Sequence, residues 1–308
     1  MPQGSILGPL LFIIFYNDLP FIVNHCSIDA YADDSTMTVS AKSVDDISAC
    51  LTEDCQLVAD WMVGNRLQLN TDKTHLLTVG TEARLRMQNT QVAVHMGGTE
   101  LRQSEDNSEL LLGCQIEPHL KWHEHIKYLL GKLQTRLHVL EKLGSAVPIR
   151  IKKRIVEGIF NSVLIYCLPV FGGCAKGDIE AIQVMQNKAA RLVLGVGVRV
   201  SRQELFSKVG WMSVRQLIYY HTALCTFRIL DSKEPEYLYS FMCRKNRSNR
   251  IIVPNATLTL MRNSYCYRGA IEWNRLPDEI RSCSGVRRFK SLIKKWIQEN
   301  IPQFEERQ

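Results

Sequence analysis

The segment Ser27-Ile28-Asp29-Ala30-Tyr31-Ala32-Asp33-Asp34-Ser35-Thr36-Met37-Thr38-Val39 decides how the first part of this chain is interpreted. Ser27-Ile28 and Thr36-Met37-Thr38-Val39 are β-prone, and Ala32-Asp33-Asp34 stands between them. This order predicts two short strands on either side of a tight turn. Two adjacent carboxylates then lie at the end of a hairpin.

Adjacent carboxylates repel one another, so the pair Asp33-Asp34 is stabilised when a cation neutralises it. Magnesium suits such a pair, because it is bound by one or two carboxylates together with substrate phosphates. Two such ions activate an attacking oxygen and stabilise a leaving one in phosphoryl transfer. A bare acid pair is more often a solvated turn, and Asp45-Asp46, at a helix start, is interpreted as favouring the helix dipole. A phosphoacceptor signalling domain also uses paired aspartates, but it needs regular βα units that this chain lacks.

The residues before the hairpin predict a loop and then a buried helix. Residues 2–9 are dense in Gly and Pro, and Leu10-Leu11-Phe12-Ile13-Ile14-Phe15 is apolar on all sides. Asn17 and Asp18 end the apolar run far short of the roughly 20 residues that a membrane span needs. No secretory signal is recognisable. Because the chain starts in mid-loop, we expect it to be a fragment of a longer polyprotein.

The pattern changes near residue 120. Before it, the sequence predicts a helix opened by Ser43 and ending near Gly64-Asn65, a hairpin around Gly97-Gly98, and a strand over residues 110–116. After it, apolar residues recur at helical spacing. The predicted helices start near residue 126 and then cover residues 150–166, 178–194, 213–230 and 286–301.

Charge changes sign at the same place. Residues 1–120 hold 6 Lys and Arg against 16 Asp and Glu, a net charge of −10, whereas residues 121–308 hold 32 against 15, a net charge of +17. Such a split favours an acidic part that holds cations and a basic part that holds a polyanion. We therefore predict an α/β (α+β) fold, with a mixed domain over residues 1–120, a helical domain over 121–230 and a basic C-terminal region over 231–308.

Cysteines and histidines give little support for a metal site. The ten cysteines are scattered with no Cys-x-x-Cys pair, so reduced and mostly buried thiols are expected. His119, His123 and His125 invite a zinc hypothesis, but no cysteine stands at metal spacing. The cluster Arg150, Lys152, Lys153 and Arg154 opens a helix against the dipole preference, which favours a phosphate partner.

Several motifs resemble those of reverse transcriptases, in particular the LINE-type, non-LTR retrotransposon enzymes. They occur in the family's order over nearly the whole chain: Pro2-Gln3-Gly4-Ser5, Tyr31-Ala32-Asp33-Asp34, Leu67-Gln68-Leu69-Asn70 before Lys73, Leu112-Gly113 with Trp122-His123-Glu124-His125-Ile126, and the tail Tyr267–Pro277.

The resemblance implies a palm with an antiparallel sheet, followed by a helical thumb that grips an RNA template and DNA primer duplex. It implies that Asp33 is a ligand of Mg²⁺ (or Mn²⁺), that Asp34 shapes the same metal site and that Lys73 lies near the triphosphate of the dNTP. The remaining implied contacts are with the template base and incoming nucleotide, through Gln3, Gly4 and Ser5, and with the primer, through Tyr31. Leu112 and Gly113 are implied to contribute to a hairpin that positions the primer.

One departure matters for activity. The family's first catalytic aspartate lies upstream of the Pro-Gln-Gly loop, and Asp18 and Asp29 lie downstream of it. The sequence therefore predicts a truncated palm without fingers, with no measurable polymerase activity alone. A non-catalytic nucleic-acid-binding remnant is the alternative. The implied location is intracellular, in the nucleus and/or cytoplasm, without secretion or a membrane partner.

Overall fold

The computed structural model describes residues 4–87, 92–103, 108–144, 147–242 and 249–302. They form mixed α/β structure in two compact units, residues 1–109 and 110–308. The division lies about ten residues before the change in sequence pattern. Within the described ranges, no helix is both long and apolar enough to cross a membrane.

The first unit combines one long helix with short strands. Its elements are α1 Gly8–Tyr16, a 3-10 turn Leu19–Phe21, β1 Ser27–Tyr31, β2 Asp34–Thr38, α2 Val44–Gly64, a 3-10 turn Thr71–Lys73, β3 His75–Leu76, α3 Glu82–Met87, β4 His95–Met96, β5 Thr99–Glu100 and β6 Arg102–Gln103. The strands pair as β1–β2 and β4–β5, both antiparallel, and as β3–β6, which is parallel. The expected hairpins around Ala32 and Gly97-Gly98 are confirmed.

Helix α2 is the centre of this unit. Ser43 caps it by accepting a hydrogen bond from the Asp46 N–H, as its sequence predicts. Leu51, Cys55 and Val58 are buried on one side of α2, where they contribute to the core of the unit.

The expectation that α1 is buried was wrong. Tyr16 is its only buried residue, and Leu10, Leu11, Ile13 and Ile14 are each at least half exposed. A helix that is apolar on all sides is buried only if other elements cover each of its faces. Among the described residues, little more than the Tyr16 end of α1 is covered.

The second unit consists of a hairpin followed by helices. Its elements are β7 Glu109–Leu111, which begins at the boundary, β8 Cys114–Ile116, α4 His123–Glu141, α5 Ile149–Val156, a π-helical turn Glu157–Asn161, α6 Ser162–Ile165, α7 Leu168–Phe171, α8 Lys176–Leu194, α9 Arg202–Val209, α10 Val214–Ser232, α11 Glu236–Met242, α12 Thr259–Asn263, α13 Tyr265–Arg275, α14 Asp278–Arg281 and α15 Val286–Asn300. The predicted helices are confirmed. The predicted strand over residues 110–116 is instead two strands, because Leu112-Gly113 turns the chain.

Two apolar clusters fill this unit. One lies among α4 to α9 and includes Leu133, Phe160 and Phe171, and the other lies among α10 to α15 and includes Trp273 and Phe289. Between α7 and α8, the turn Gly172-Gly173 is held by Arg268, which donates hydrogen bonds to the Pro169 and Asn263 carbonyls. A Cβ on Gly173 would lie 2.2 Å from the Asn263 oxygen, so only glycine fits there.

Candidate active site

The acidic turn ends a regular hairpin. Strands β1 and β2 pair from Ser27 with Thr38 to Tyr31 with Asp34, which leaves Ala32 and Asp33 as the two loop residues. Ala32 has a φ of +54°, a conformation that costs an L-residue about 1–2 kcal/mol. The hairpin therefore turns at its acid pair at the expense of backbone strain.

The two faces of this hairpin differ. Ile28 and Met37 face each other on the side that packs against the core of the first unit. Alternation along the strands places Tyr31 and Asp34 together on the opposite face, where both are exposed. The Tyr31 side chain is 68% exposed, which for a tyrosine leaves its ring open to a ligand.

Asp33 and Asp34 fit the requirements of a hard cation. Both are exposed, and within the described part of the chain neither carboxylate has a hydrogen-bond or ion-pair partner. Their oxygens are the ligand type that Mg²⁺ prefers, and Mg²⁺ usually takes its other ligands from water and phosphate. Among the described residues, no group of three or more His, Cys, Asp or Glu side chains could hold a metal. Two carboxylates are fewer protein ligands than such a group would provide.

Asp54 anchors the entry to β1, a role that the sequence did not indicate. Its fully buried carboxylate accepts hydrogen bonds from the backbone N–H groups of Asn24 at 2.9 Å, His25 at 2.8 Å and Cys26 at 2.6 Å. Burial acts to raise the pKa of this carboxyl, but these hydrogen bonds outweigh it and lower the pKa below its ordinary value. The sequence does carry one signal of this role, because Asp54 is an acidic residue among the apolar positions of α2.

Tyr16 makes a second contact with the hairpin. Its hydroxyl is hydrogen-bonded to the Ser35 hydroxyl at 2.8 Å, and its ring meets Trp61 edge-on at 5.7 Å. Tyr16, at the end of α1 and packed on the last turn of α2, thereby fixes the core side of β2.

The other residues of the first unit that are predicted to contact the nucleotide are Gln3, Gly4, Ser5 and Lys73. Gln3 lies outside the described residues, Gly4 is exposed with a φ of +87°, and Ser5 is half-buried. Lys73 is exposed at the end of a 3-10 turn, and its backbone N–H donates a hydrogen bond to the Asn70 side chain that caps this turn. No ion pair joins Lys73 to Asp33 or Asp34 among the residues described.

Leu112 and Gly113 form the turn of the β7–β8 hairpin, which the family resemblance implies. Both have positive φ, +48° and +80°, which is the backbone of a type I′ turn. The Tyr166 hydroxyl donates a 2.6 Å hydrogen bond to the Leu112 carbonyl, and a Cβ on Gly113 would lie 3.3 Å from the Tyr166 ring. The turn is therefore held against the end of α6.

The basic cluster at α5 does not form one surface. Arg150 and Arg154, one helical turn apart, are exposed, whereas Lys152 is buried. Lys153 is half-buried, with its ammonium 3.8 Å from Glu157. Only Arg150 and Arg154 remain directed to solvent on the same side of the helix.

Two of the three histidines considered for zinc, His123 and His125, have different environments. His125 is buried, accepts a hydrogen bond from the Gln115 N–H through Nδ1 and packs 4.6 Å from Phe171. Burial, with a smaller effect of Lys132, lowers the pKa of His125 to about 4, so its ring is neutral at physiological pH. His123 instead contacts Asp178 at 3.3 Å. His125 is a core histidine.

Comparison with known proteins supports the motif interpretation. The sequence model of the family described as "Reverse transcriptase (RNA-dependent DNA polymerase)" matches residues 1–130, which include both the Asp33-Asp34 pair and the Leu112-Gly113 turn. Three fruit-fly relatives, all from Drosophila melanogaster, are the probable RNA-directed DNA polymerase from transposon BS (25% identical over 241 residues, 74% of this chain), the RNA-directed DNA polymerase from mobile element jockey (24% over 205 residues, 63%) and the probable RNA-directed DNA polymerase from transposon X-element (23% over 202 residues, 63%).

The matches cover only part of these relatives. The chain spans 26% of the length of the transposon BS protein and 22% of the other two. No solved structure matches the chain. The family match and the relatives confirm the resemblance to LINE-type reverse transcriptases.

Proposed function

Because the chain is similar to reverse transcriptases of LINE-type retrotransposons, we propose that it is part of an RNA-directed DNA polymerase. The reaction class is metal-dependent nucleotidyl transfer to the 3′-hydroxyl of a primer. Its substrates are an RNA template with a DNA primer, and a dNTP. Such substrates imply a place of action in the nucleus and/or cytoplasm.

The observation that carries this proposal is the exposed acid pair at the tip of a hairpin anchored from α2. Asp33 and Asp34 would hold Mg²⁺ (or Mn²⁺), and Tyr31 on the same face would contact the primer end. When two metal ions are bound, they activate the attacking oxygen and stabilise the leaving one. The chain's own part is to hold the carboxylates: Asp54 fixes the strand that leads to them.

The remaining residues are assigned to substrate binding. Gln3, Gly4 and Ser5 would line the pocket of the template base and incoming nucleotide, with Lys73 near the triphosphate. Leu112 and Gly113 would position the primer. Residues 121–230 would form the thumb, and Arg150 and Arg154 would contact backbone phosphates, with Lys152 and Lys153 less accessible to them.

For the chain by itself, we propose no measurable polymerisation. Two carboxylates at the turn bind a metal weakly, and the described residues add no third ligand to them. The alternative function, a nucleic-acid-binding remnant without catalysis, is favoured by the +16 net charge of residues 110–308, from 32 Lys and Arg against 16 Asp and Glu.

Manganese binding tests the metal site. Titration of the full chain with Mn²⁺, followed by electron paramagnetic resonance, should show a weak site that Asp33→Asn removes. Asp45→Asn, in an acidic pair at a helix start, is the matched control and should leave that site intact. Equal binding by wild type and Asp33→Asn would contradict the assignment.

Primer extension on a primed RNA template separates the two functions. Duplex binding that weakens steeply with salt, with no nucleotide incorporation, supports the binding remnant for this chain. Incorporation that Asp33→Asn abolishes would show that the chain is active and overturn the proposed inactivity.

A further inference from the structure

Helix α15 presents a row of positive charges to solvent. Its sequence holds five Lys and Arg and one acidic residue, Glu299. Four of the cations are exposed and are called the basic face of α15: Arg287, Arg288, Lys294 and Lys295. Within the described part of the chain, none of these four has an ion-pair or hydrogen-bond partner. Their charges are therefore available to a ligand.

The basic face consists of two parallel rows. At about 3.6 residues per turn and about 1.5 Å per residue, residues seven apart lie on one side of a helix and about 10.5 Å apart along its axis. The rows are Arg287 with Lys294 and Arg288 with Lys295. They are about 100° apart around the axis, the angle between consecutive residues. Ser291 and Gln298, which are exposed and uncharged, lie between the rows.

The opposite side of α15 fixes this face on the core of the second unit. Phe289 stacks on Phe227 of α10, with ring centroids 4.3 Å apart. Trp296 lies 5.5 Å from Tyr219 of the same helix, measured between ring centroids. The two helices therefore run antiparallel. This packing keeps the basic face of α15 directed to solvent.

The charges of α15 oppose its stability when no anion is present. Lys290 and Lys294 are one helical turn apart, and like charges at this spacing repel one another. Arg287 and Arg288 lie in the first turn, where the helix dipole favours acidic residues and where no side chain caps the helix. A polyanion along the basic face would offset both effects.

The apolar residues of α15 separate the classes of polyanion. A helix that lies on an anionic lipid surface inserts large apolar side chains into it, but no large apolar side chain of α15 is exposed. Single-stranded nucleic acid is bound by stacking bases on aromatic rings. The two aromatic residues of α15, Phe289 and Trp296, pack inward on α10. A double-stranded nucleic acid, which presents phosphates and keeps its bases stacked, fits the face better.

We propose that the basic face of α15 binds B-form double-stranded DNA, with its two rows contacting phosphates on either side of the major groove. That groove is about 12 Å wide and admits an α-helix. The A-form geometry of RNA duplexes and RNA–DNA hybrids has a deep, narrow major groove that does not. Ser291 and Gln298 would then face the base edges. This ligand differs from the template–primer duplex assigned to residues 121–230, so the inference does not require polymerase activity.

Salt-dependent binding by the full chain tests the face. Fluorescence anisotropy measures the binding constant K of a labelled DNA duplex at several salt concentrations. Removal of one row, by Arg287→Gln with Lys294→Gln, should reduce the slope of log K against log salt by about 2, because each phosphate contact contributes about 0.9. Arg202→Gln with Lys208→Gln makes the same charge change on α9 and should leave the slope unaltered, since these cations are paired with Glu180 and Glu204.

Three other ligands test the choice of B-form DNA: an RNA–DNA hybrid of the same sequence, its single DNA strand, and vesicles that contain phosphatidylserine. The row variant should leave the salt slopes for the hybrid and the single strand unchanged, and wild type should not bind the vesicles through α15. Circular dichroism checks that each variant keeps its helices.

An unchanged slope for B-form DNA would overturn the proposal, and so would equal reductions for DNA and hybrid. Vesicle binding that the row variant loses would also overturn it and would identify a lipid surface as the partner. These readouts report binding alone, so a failure of the polymerase proposal in Mn²⁺ titration or primer extension leaves them unchanged.

Discussion

The β1–β2 hairpin of the first unit and the β7–β8 hairpin at the start of the second are held by different means. Three backbone hydrogen bonds to the Asp54 carboxylate fix the entry to β1, whereas the Leu112-Gly113 turn rests on Tyr166 and on a helical core. The strands of the first unit are two to five residues long, and two-stranded hairpins are marginally stable alone. The first unit therefore depends on polar anchors and the second on apolar burial, and five substitutions can test and extend that contrast.

The largest effect is expected in the helical core. Phe160→Ala removes a fully buried ring at the π-helical turn and should lower the free energy of unfolding of the second unit by about 3–5 kcal/mol. Urea denaturation followed by circular dichroism measures this change. Val139→Ala, at a half-exposed position of α4, should change stability by less than about 0.5 kcal/mol. Similar losses for both variants would refute the contrast.

The second-largest loss of stability is expected at Asp54, the polar anchor of the first unit. Asp54→Ala leaves three backbone N–H groups without their charged acceptor and should cost about 2–3 kcal/mol. Hydrogen–deuterium exchange of peptides from the first unit, followed at increasing urea concentration, measures it. Asp60→Ala, on the same helix, removes only an exposed contact with Gln56 and serves as the control.

The same anchor predicts a pH dependence. Folding lowers the pKa of Asp54, so its stabilisation is complete above the ordinary value of 3.8 and is lost as pH falls through the lower folded pKa. The first unit of the wild type, followed by hydrogen–deuterium exchange of its peptides, should lose stability in that acidic range, and Asp54→Ala should lack that part of the loss. Parallel curves for the two proteins would contradict the role of Asp54.

A smaller effect is expected in nucleic-acid binding by the second unit. Arg150→Gln and Arg154→Gln should each reduce the slope of log K against log salt by about 1, because each removes one phosphate contact. Fluorescence anisotropy with an RNA–DNA duplex measures the slopes. Lys208→Gln makes the same charge change where the ammonium is paired with Glu204 at 2.7 Å, and should leave the slope unaltered.

The smallest effect is expected at the acid turn. Ala32→Gly relieves the strain of a positive φ and should stabilise the first unit by about 0.5–1 kcal/mol. Ala30→Gly, inside β1, should destabilise it by a similar amount, because glycine loses more entropy in a strand. Changes of the same sign at Ala30 and Ala32 would show that the turn is not strained.

How much could be predicted from the sequence depends on how far apart in the sequence the interacting residues are. The start of α2 was predicted because Ser43 and Asp46 are three residues apart and cap the helix locally. The turn at Leu112-Gly113 was missed as secondary structure, because leucine is rare at positive φ, although the family resemblance implied a hairpin there. The burial of α1 was predicted wrongly, since periodicity shows which residues are apolar and not what covers them.

The same reasoning applies to the site. Tyr31, Asp33 and Asp34 were found because their chemistry is contained in four consecutive residues. Asp54 was missed because its partners lie 28 to 30 positions away. In α5, helix geometry separates four basic residues that are close in sequence, and only the fold shows that Lys152 is buried.

The Gly172-Gly173 turn has a consequence at the level of the genetic code. Every missense change in a glycine codon introduces a Cβ, and at Gly173 any Cβ meets the Asn263 carbonyl. At Gly172 it meets Ile218 and the Leu168 carbonyl at 2.8 Å. These two codons therefore have no neutral missense neighbour. Any single missense change at either glycine disrupts the turn, so retention of both glycines is necessary for the helical unit to fold.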